Sequence, residues 1–237
     1  MKLSLFIKRH VLILFFVCFL ITNSFAQNKL YVYYPTVSNS EIVKNTLVKQ
    51  IQGPTIEVFA KHDEFVGKVS LDQPDAIIAK SVLISTQLTN YEILLNGQRG
   101  EKAETKYVIL STNKPLAIQS VNSSTVLGVV NFLGRNGTDQ FEKQFFTEQP
   151  RLKRVSKPND LLPLLSLNVA AGILIEDFFV DYFESTSQLE FFVTPAQSVP
   201  GTVGFAVKKG ATSDKTIELL KQTNKEICDI FHIDMWK

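Results

Sequence analysis

Three stretches of the sequence gather polar side chains where an apolar run gives way to helical spacing. In YYPTVSNSEI, Thr36, Ser38, Asn39 and Ser40 crowd the turn; in AIIAKSVL, Lys80 and Ser81 follow the apolar run; in NFLGRNGTDQFEK, Arg135, Asn136, Gly137 and Thr138 precede the helix. A helix start leaves backbone N–H groups unpaired and lies at the positive end of the helix dipole. Hydroxyls, amides and cations collected there suit a bound anion or a small polar group. Arg135 could also grip a carboxylate or phosphate through two parallel hydrogen bonds. Each stretch has a plainer account as well. Ser38 or Asn39 ahead of Glu41 forms an ordinary N-cap, and Lys80 with Ser81 can open a helix with the lysine in water. Glu176 and Asp177, in GILIEDFF, carry the same ambiguity. They face the cleft, or they begin a helix whose first turn favours acids.

Chemistry beyond binding has little to work with. His62 and His232 stand at no metal-ligand spacing with a cysteine, an acid or each other. The sequence holds no Gly-x-Ser-x-Gly elbow, no phosphate loop ending in Gly-Lys-Ser/Thr and no dinucleotide fingerprint. Cys228 lies in the stripe Ile227, Cys228, Ile230, Phe231 and reads as a buried structural thiol. The expectation is a protein that is not an enzyme and carries no metal or cofactor.

Strands alternating with helices must position the polar stretches. LYVYY, TIEVFA and PDAIIA read as strands, with SNSEIVKNTLVKQIQG helical between the first two and KSVLISTQL helical after the third. TKYVILST and STVLGVVNF are further apolar runs, GTDQFEKQFF is helical, RLKRVS is a short strand and KPNDLLPLLSLN a helix. GILIEDFFVDYF and LEFFVT supply more strand or helix before GFAVKKG and a last helix from Ser213. Such alternation predicts an α/β protein with mostly parallel sheets flanked by helices.

This order of pieces resembles that of type II periplasmic binding proteins, and within them the phosphate and phosphonate-binding branch. The resemblance covers nearly the whole chain after the leader and rests on pattern more than on fixed residues. It implies two lobes joined by a two-strand hinge, with TKYVILSTNK leaving the first lobe and GFAVKKG returning to it. Lobe 1 would comprise 27–111 and 200–237, and lobe 2 the inserted 112–199, with crossings near Ser111 and Gly201. The site would lie beyond the carboxyl ends of the strands, on the polar stretches named above. Two departures stand out. Where phosphonate binders keep a hydroxyl-rich loop this chain has Arg135 and Asn136, and where many members keep an acid before a lobe 2 strand it has Ala171-Gly172.

The first 26 residues suggest the compartment. Lys2, Lys8 and Arg9 precede the uncharged run VLILFFVCFLIT, and Ser24-Phe25-Ala26 offers small residues at a cleavage site, the pattern of a secretory signal peptide. Cleavage would release a periplasmic protein; retention of the segment as an anchor is the alternative. Residues 1–26 hold three Lys/Arg and no Asp/Glu, so their loss takes the net charge from +2 to −1. A near-neutral chain offers no footprint for nucleic acid. With Cys228 alone left, stability must come from a core rather than a disulfide. The expectation is a monomeric solute-binding protein that closes on a small polar or anionic ligand and feeds an ABC-type permease in the inner membrane. The alternative is a sensor or interaction module on the same fold, signalling to a membrane partner.

Overall fold

The computed structural model describes residues 28–211, 214–222 and 225–237. Its first elements are β1 (Lys29–Tyr33), α1 (Ser40–Gln50), β2 (Thr55–Phe59), α2 (His62–Asp72), β3 (Ala76–Lys80), α3 (Ser81–Gln87) and β4 (Tyr91–Gln98). There follow β5 (Glu104–Ser111), β6 (Val126–Val130), α4 (Gly134–Glu142), β7 (Arg151–Val155), α5 (Leu162–Ser166), β8 (Gly172–Glu176), α6 (Val180–Thr186) and β9 (Phe192–Pro200). The chain ends with β10 (Val203–Lys208), α7 (Asp214–Lys221), α8 (Lys225–Phe231) and β11 (Met235–Trp236). No helix among the described residues is long and apolar enough to cross a membrane. The expected signal peptide, 1–26, and the expected helix start at Ser213 lie outside the described residues.

The strands form two sheets, β11-β4-β10-β3-β1-β2 and β7-β6-β8-β5-β9. Both follow one plan. Three parallel strands, β2-β1-β3 or β7-β6-β8, are followed by an antiparallel strand, β10 or β5, and then by β4 or β9. In each sheet the antiparallel strand is the one the chain delivers from the other lobe. Parallel strands covered on both faces read as continuous apolar runs, and β3 and β8 are buried at every position.

This pairing corrects the expected first crossing. Ser111 was the expected exit from lobe 1, yet β5 lies wholly in the second sheet, where Tyr107–Leu110 pairs with β8 and Glu104–Ser111 with β9. A strand this apolar needs partners on both sides, so the link falls earlier, at the polar turn 99–103, where Arg99 bridges Lys102. The return link is Gly201–Thr202. The two are tied together: Gly201 N–H donates to Ala103 O at 2.7 Å, and Thr105 Oγ1 donates to Gly201 O at 2.9 Å.

Side-chain alternation divides the core. On β1, Leu30 and Val32 join the cluster beneath α1 and α8, with Leu47, Ile78, Phe205 and Phe231, while Tyr31 and Tyr33 turn the other way. That other cluster holds residues of both lobes, including Phe65 and Ile77 of the first and Tyr107, Leu127 and Phe141 of the second. A third, with Val108, Leu110, Ile173 and Phe183, lies in the second lobe. Cys228 is buried in the first of these clusters, and burial pushes its thiol pKa up.

Candidate functional site: a buried charge pair between the lobes

The carboxyl ends of β3 and β8 bring a cation and an anion from opposite lobes together. Lys80, the last residue of β3, donates its Nζ–H to Oε1 of Glu176, the last residue of β8. Lys80 is 4 % exposed and Glu176 7 %, so the pair is out of water. The ammonium also lies 5.2 Å from the ring centroid of Tyr34 and 5.1 Å from that of Phe132, residues just beyond β1 and β6. Four strand ends, two from each lobe, therefore meet at one ammonium group. The aromatic faces stabilise it by about 0.5–2 kcal/mol each where water is excluded. Tyr34 has its hydroxyl pKa raised by burial and then by the Glu176 charge.

A second pair runs alongside. Arg99, in the first link, donates Nη1–H to Asp177 Oδ1 at 2.6 Å, with its guanidinium 4.9 Å from the Phe178 ring centroid. His232 stacks on the same ring, 4.1 Å from the Phe178 centroid. Burial, then Arg99 and Lys80, push the His232 pKa down to about 4. The ring is therefore neutral at ordinary pH and acts as an apolar plate. Glu176 and Asp177 thus face the interlobe space, and Asp177 also opens a short 3-10 turn, so both accounts of these acids hold at once.

Next to the pair lies a small pocket of about 20 Å³, lined by Pro35, Tyr107, Phe132, Glu142, Glu176 and Phe179 among others. Glu142, at the end of α4, is 2 % exposed. Its Oε2 and that of Glu176 have no hydrogen-bond partner among the described residues. Burial pushes the Glu142 pKa up to about 8. Tyr107 is raised by burial first and then by Glu176 and Glu142, which places its hydroxyl near both acids. The sequence signal for Glu142 was a carboxylate embedded in an aromatic stripe, between Phe141 and Phe145.

The residues expected to bind fall in three places. Lys80 is in the pair. Ser81 ties α3 to β4 instead, donating Oγ–H to Asn96 Oδ1 at 2.9 Å. Thr36, Ser38 and Ser40 line a separate small pocket of about 20 Å³ with Tyr34, Ser156 and Lys157. Asn39 is exposed and caps α1, its Oδ1 accepting from Glu41 N–H at 2.9 Å. Asn39→Ala should therefore lower stability by about 1 kcal/mol in a thermal melt and leave ligand affinity unchanged.

The stretch 135–138 is not drawn to the charge pair. Arg135 and Asn136 are exposed. Arg135 stands close enough to Arg154 of β7 to help lower that residue's pKa, after burial, so it faces the β7 edge and not the end of β8. Thr138 is fully buried and its Oγ1 closes the β6–α4 turn, accepting from Leu133 N–H and donating to Asn131 Oδ1 at 3.2 Å. A Cβ on Gly137 would come within 2.8 Å of Gln87 Nε2, so the glycine allows close approach of the lobes.

That approach is a latch. His62 Nε2 shares a hydrogen bond with Gln87 Oε1 at 2.9 Å, and Gln87 Nε2–H donates to Leu133 O at 2.7 Å. Gly134 adopts φ +69°, and a Cβ there would lie 2.8 Å from His62 Cε1. Gly134→Ala combines left-handed strain of about 1 kcal/mol with this clash. A melting temperature several degrees lower is expected, and an unchanged one would show that the lobes do not meet here.

The arrangement is the two-lobed fold of type II periplasmic binding proteins. No protein-family model matches the chain. No curated protein matches it either. Solved structures do. PhnD1 from Prochlorococcus marinus in complex with methylphosphonate superposes with TM-score 0.64 at 13 % identity, covering 89 % of this chain and 92 % of that one. XAC2383 from Xanthomonas citri bound to ATP gives 0.62 at 9 % identity, covering 90 % and 91 %. The periplasmic VFT2 domain of Bordetella pertussis BvgS gives 0.56 at 14 %, covering 87 % and 93 %.

Proposed function

We propose that this protein is a periplasmic solute-binding protein whose lobes close by hinge motion on a small polar ligand at the Lys80–Glu176 pair, delivering it to an ABC-type permease. One observation carries the reading: opposite charges from the ends of β3 and β8 meet, buried, between the lobes. Strand ends of an open α/β sheet are where ligands are received, and a buried charge pair is weak support for stability alone. The links at 99–103 and 201–202 are the hinge, and binding without catalysis is the role. The chain acts as a monomer, after removal of 1–26.

Native mass spectrometry of protein released from the periplasm tests this. A retained small-molecule adduct, lost in Lys80→Ala, is expected; protein free of any adduct, whose melting temperature does not change on dialysis, would overturn it. A second reading draws on the same pairs. Lys80–Glu176 and Arg99–Asp177 close the lobes on the protein's own side chains, which suits a sensor or interaction module that signals to a membrane partner without carrying solute. Adduct-free protein that co-purifies with an inner-membrane protein would favour this module.

A further inference from the structure

A further cavity, of about 250 Å³, lies away from the charge pair. It has room for a compact organic molecule, where the pockets of about 20 Å³ described above each have room for about one water. It opens at the amino end of β3, the end opposite Lys80, where Lys208 of β10 pairs with Tyr91 of β4. Val66 and Val69 of α2, with Leu88 and Tyr91, give it apolar walls. Lys208 is the single charged residue of this lining. It is half-buried, and its Nζ–H donates to a neutral acceptor, Gln73 Oε1, at 2.8 Å. No carboxylate pairs with it among the described residues, and the nearby acids are engaged elsewhere. Asp72 accepts from Tyr31 and pairs with Lys68 at 3.6 Å, and Asp75 accepts from Lys29 N–H at 2.9 Å. A partly desolvated ammonium without a counter-charge calls for an anion.

We propose that this cavity is an effector site for a small monocarboxylate with an apolar body, its carboxylate on Lys208 and its body against Val66, Val69, Leu88 and Tyr91. One cation in the lining balances one negative charge, so a second carboxylate on the ligand would be left unpaired. A bare acetate would leave the apolar walls wet. The site is separate from the Lys80–Glu176 pair and needs no solute in the cleft. It does touch the latch, because Gln87 lines the same cavity. Both ends of the Gln87 amide are taken up by His62 and Leu133 O, so a bound molecule meets its stem. Gln87 holds Leu133 only while the lobes are together. A ligand that fixes that stem therefore favours the closed state.

The test is calorimetric titration with phenylacetate, its neutral counterpart phenylacetamide, its cationic counterpart phenethylammonium, and acetate. Phenylacetate should bind roughly tenfold or more tighter than each of the others, as a charge-assisted hydrogen bond requires. Lys208→Met keeps the aliphatic stem and should weaken phenylacetate roughly tenfold to over a hundredfold. Ser70→Trp, at the exposed rim of the cavity, should block binding without touching Lys208, and thermal melts of both variants separate binding from folding. In isotope-labelled protein, phenylacetate should shift the methyl resonances of Val66, Val69 and Leu88 together with the ring of His62. Equal binding of phenylacetamide would overturn the anion assignment. Shifts confined to Val130 and Leu174, which line the pocket beside the charge pair, would overturn the site and place the ligand in the cleft. An unmoved His62 ring would overturn the link to the latch. Failure of every probe to bind would overturn the effector site and leave the solute-binding reading standing.

Discussion

Lys80→Ala should destabilise the protein by about 3–5 kcal/mol, because it strands Glu176 in the interior without its counter-charge. Lys80 and Glu176 are each nearly sealed from water, and their pairing holds an end of β3 to an end of β8. Removal of the ammonium takes the cationic partner from Glu176 and withdraws the cation from between Tyr34 and Phe132. Urea unfolding should show a lower midpoint, with folded protein whose lobes separate more readily. Lys80→Ala combined with Glu176→Ala should recover much of the loss, since neither charge then remains, and the double-mutant cycle should give a coupling of several kcal/mol of stabilising sign. Additive effects would show that the two residues do not meet.

Glu142→Gln should flatten the fall of stability with rising pH. In the wild type the folded-state pKa of Glu142 is raised by burial to about 8 from an ordinary 4.5. Folding thus favours the protonated form. The contribution is fully present below pH 4.5 and is lost as pH rises towards 8, at about 1.4 kcal/mol per pH unit. Over that window the loss sums to roughly 5 kcal/mol. His232 acts in the opposite sense, because its folded pKa near 4 lies below its ordinary 6.5, so it makes stability rise with pH up to about 6.5. Unfolding at pH 5, 6, 7 and 8 should therefore show a nearly level wild-type profile up to about pH 6.5 and a fall above it. The difference between wild type and Glu142→Gln, in which His232 cancels, should carry the Glu142 slope across the whole range. Parallel profiles would mean that Glu142 is solvated.

The fold was legible because parallel, doubly covered strands leave continuous apolar runs, as at AIIAK and GILIE. Three elements were not announced, the two-residue β11 among them. In α2 only Phe65 and Val69 of a polar sequence reach the core, along with His62 at its start, and β4 mixes buried Tyr91 and Leu95 with exposed positions near the sheet edge. The crossing was misplaced because β5 is as apolar as a lobe 1 strand, and only pairing reveals which sheet holds it. At the site, Lys80 was visible as a charge at the end of a buried strand. Arg135 and Thr138 were drawn in by their donor chemistry, but the β6–α4 turn directs one outward and spends the other on its own closure. Glu176 and Asp177 were undecided because acids suit both a strand end in a cleft and a first helical turn. Glu142 sits next to Phe141 on a helix, and nothing local to the sequence shows that the second lobe's β5 and β8 enclose it.

The central claim is that two lobes, hinged at 99–103 and 201–202, close through the Lys80–Glu176 pair. Spin labels at the exposed positions Asn45, in the first lobe, and Gln140, in the second, report it directly as an interlobe distance distribution in a Cys228→Ala background. The account predicts a short distance in the wild type, a shift to longer distances in Lys80→Ala, and a return toward the short distance in wild-type protein when a periplasmic small-molecule extract is added to a sample opened by dialysis. One narrow distance, identical in wild type and Lys80→Ala and unmoved by the extract, would contradict it.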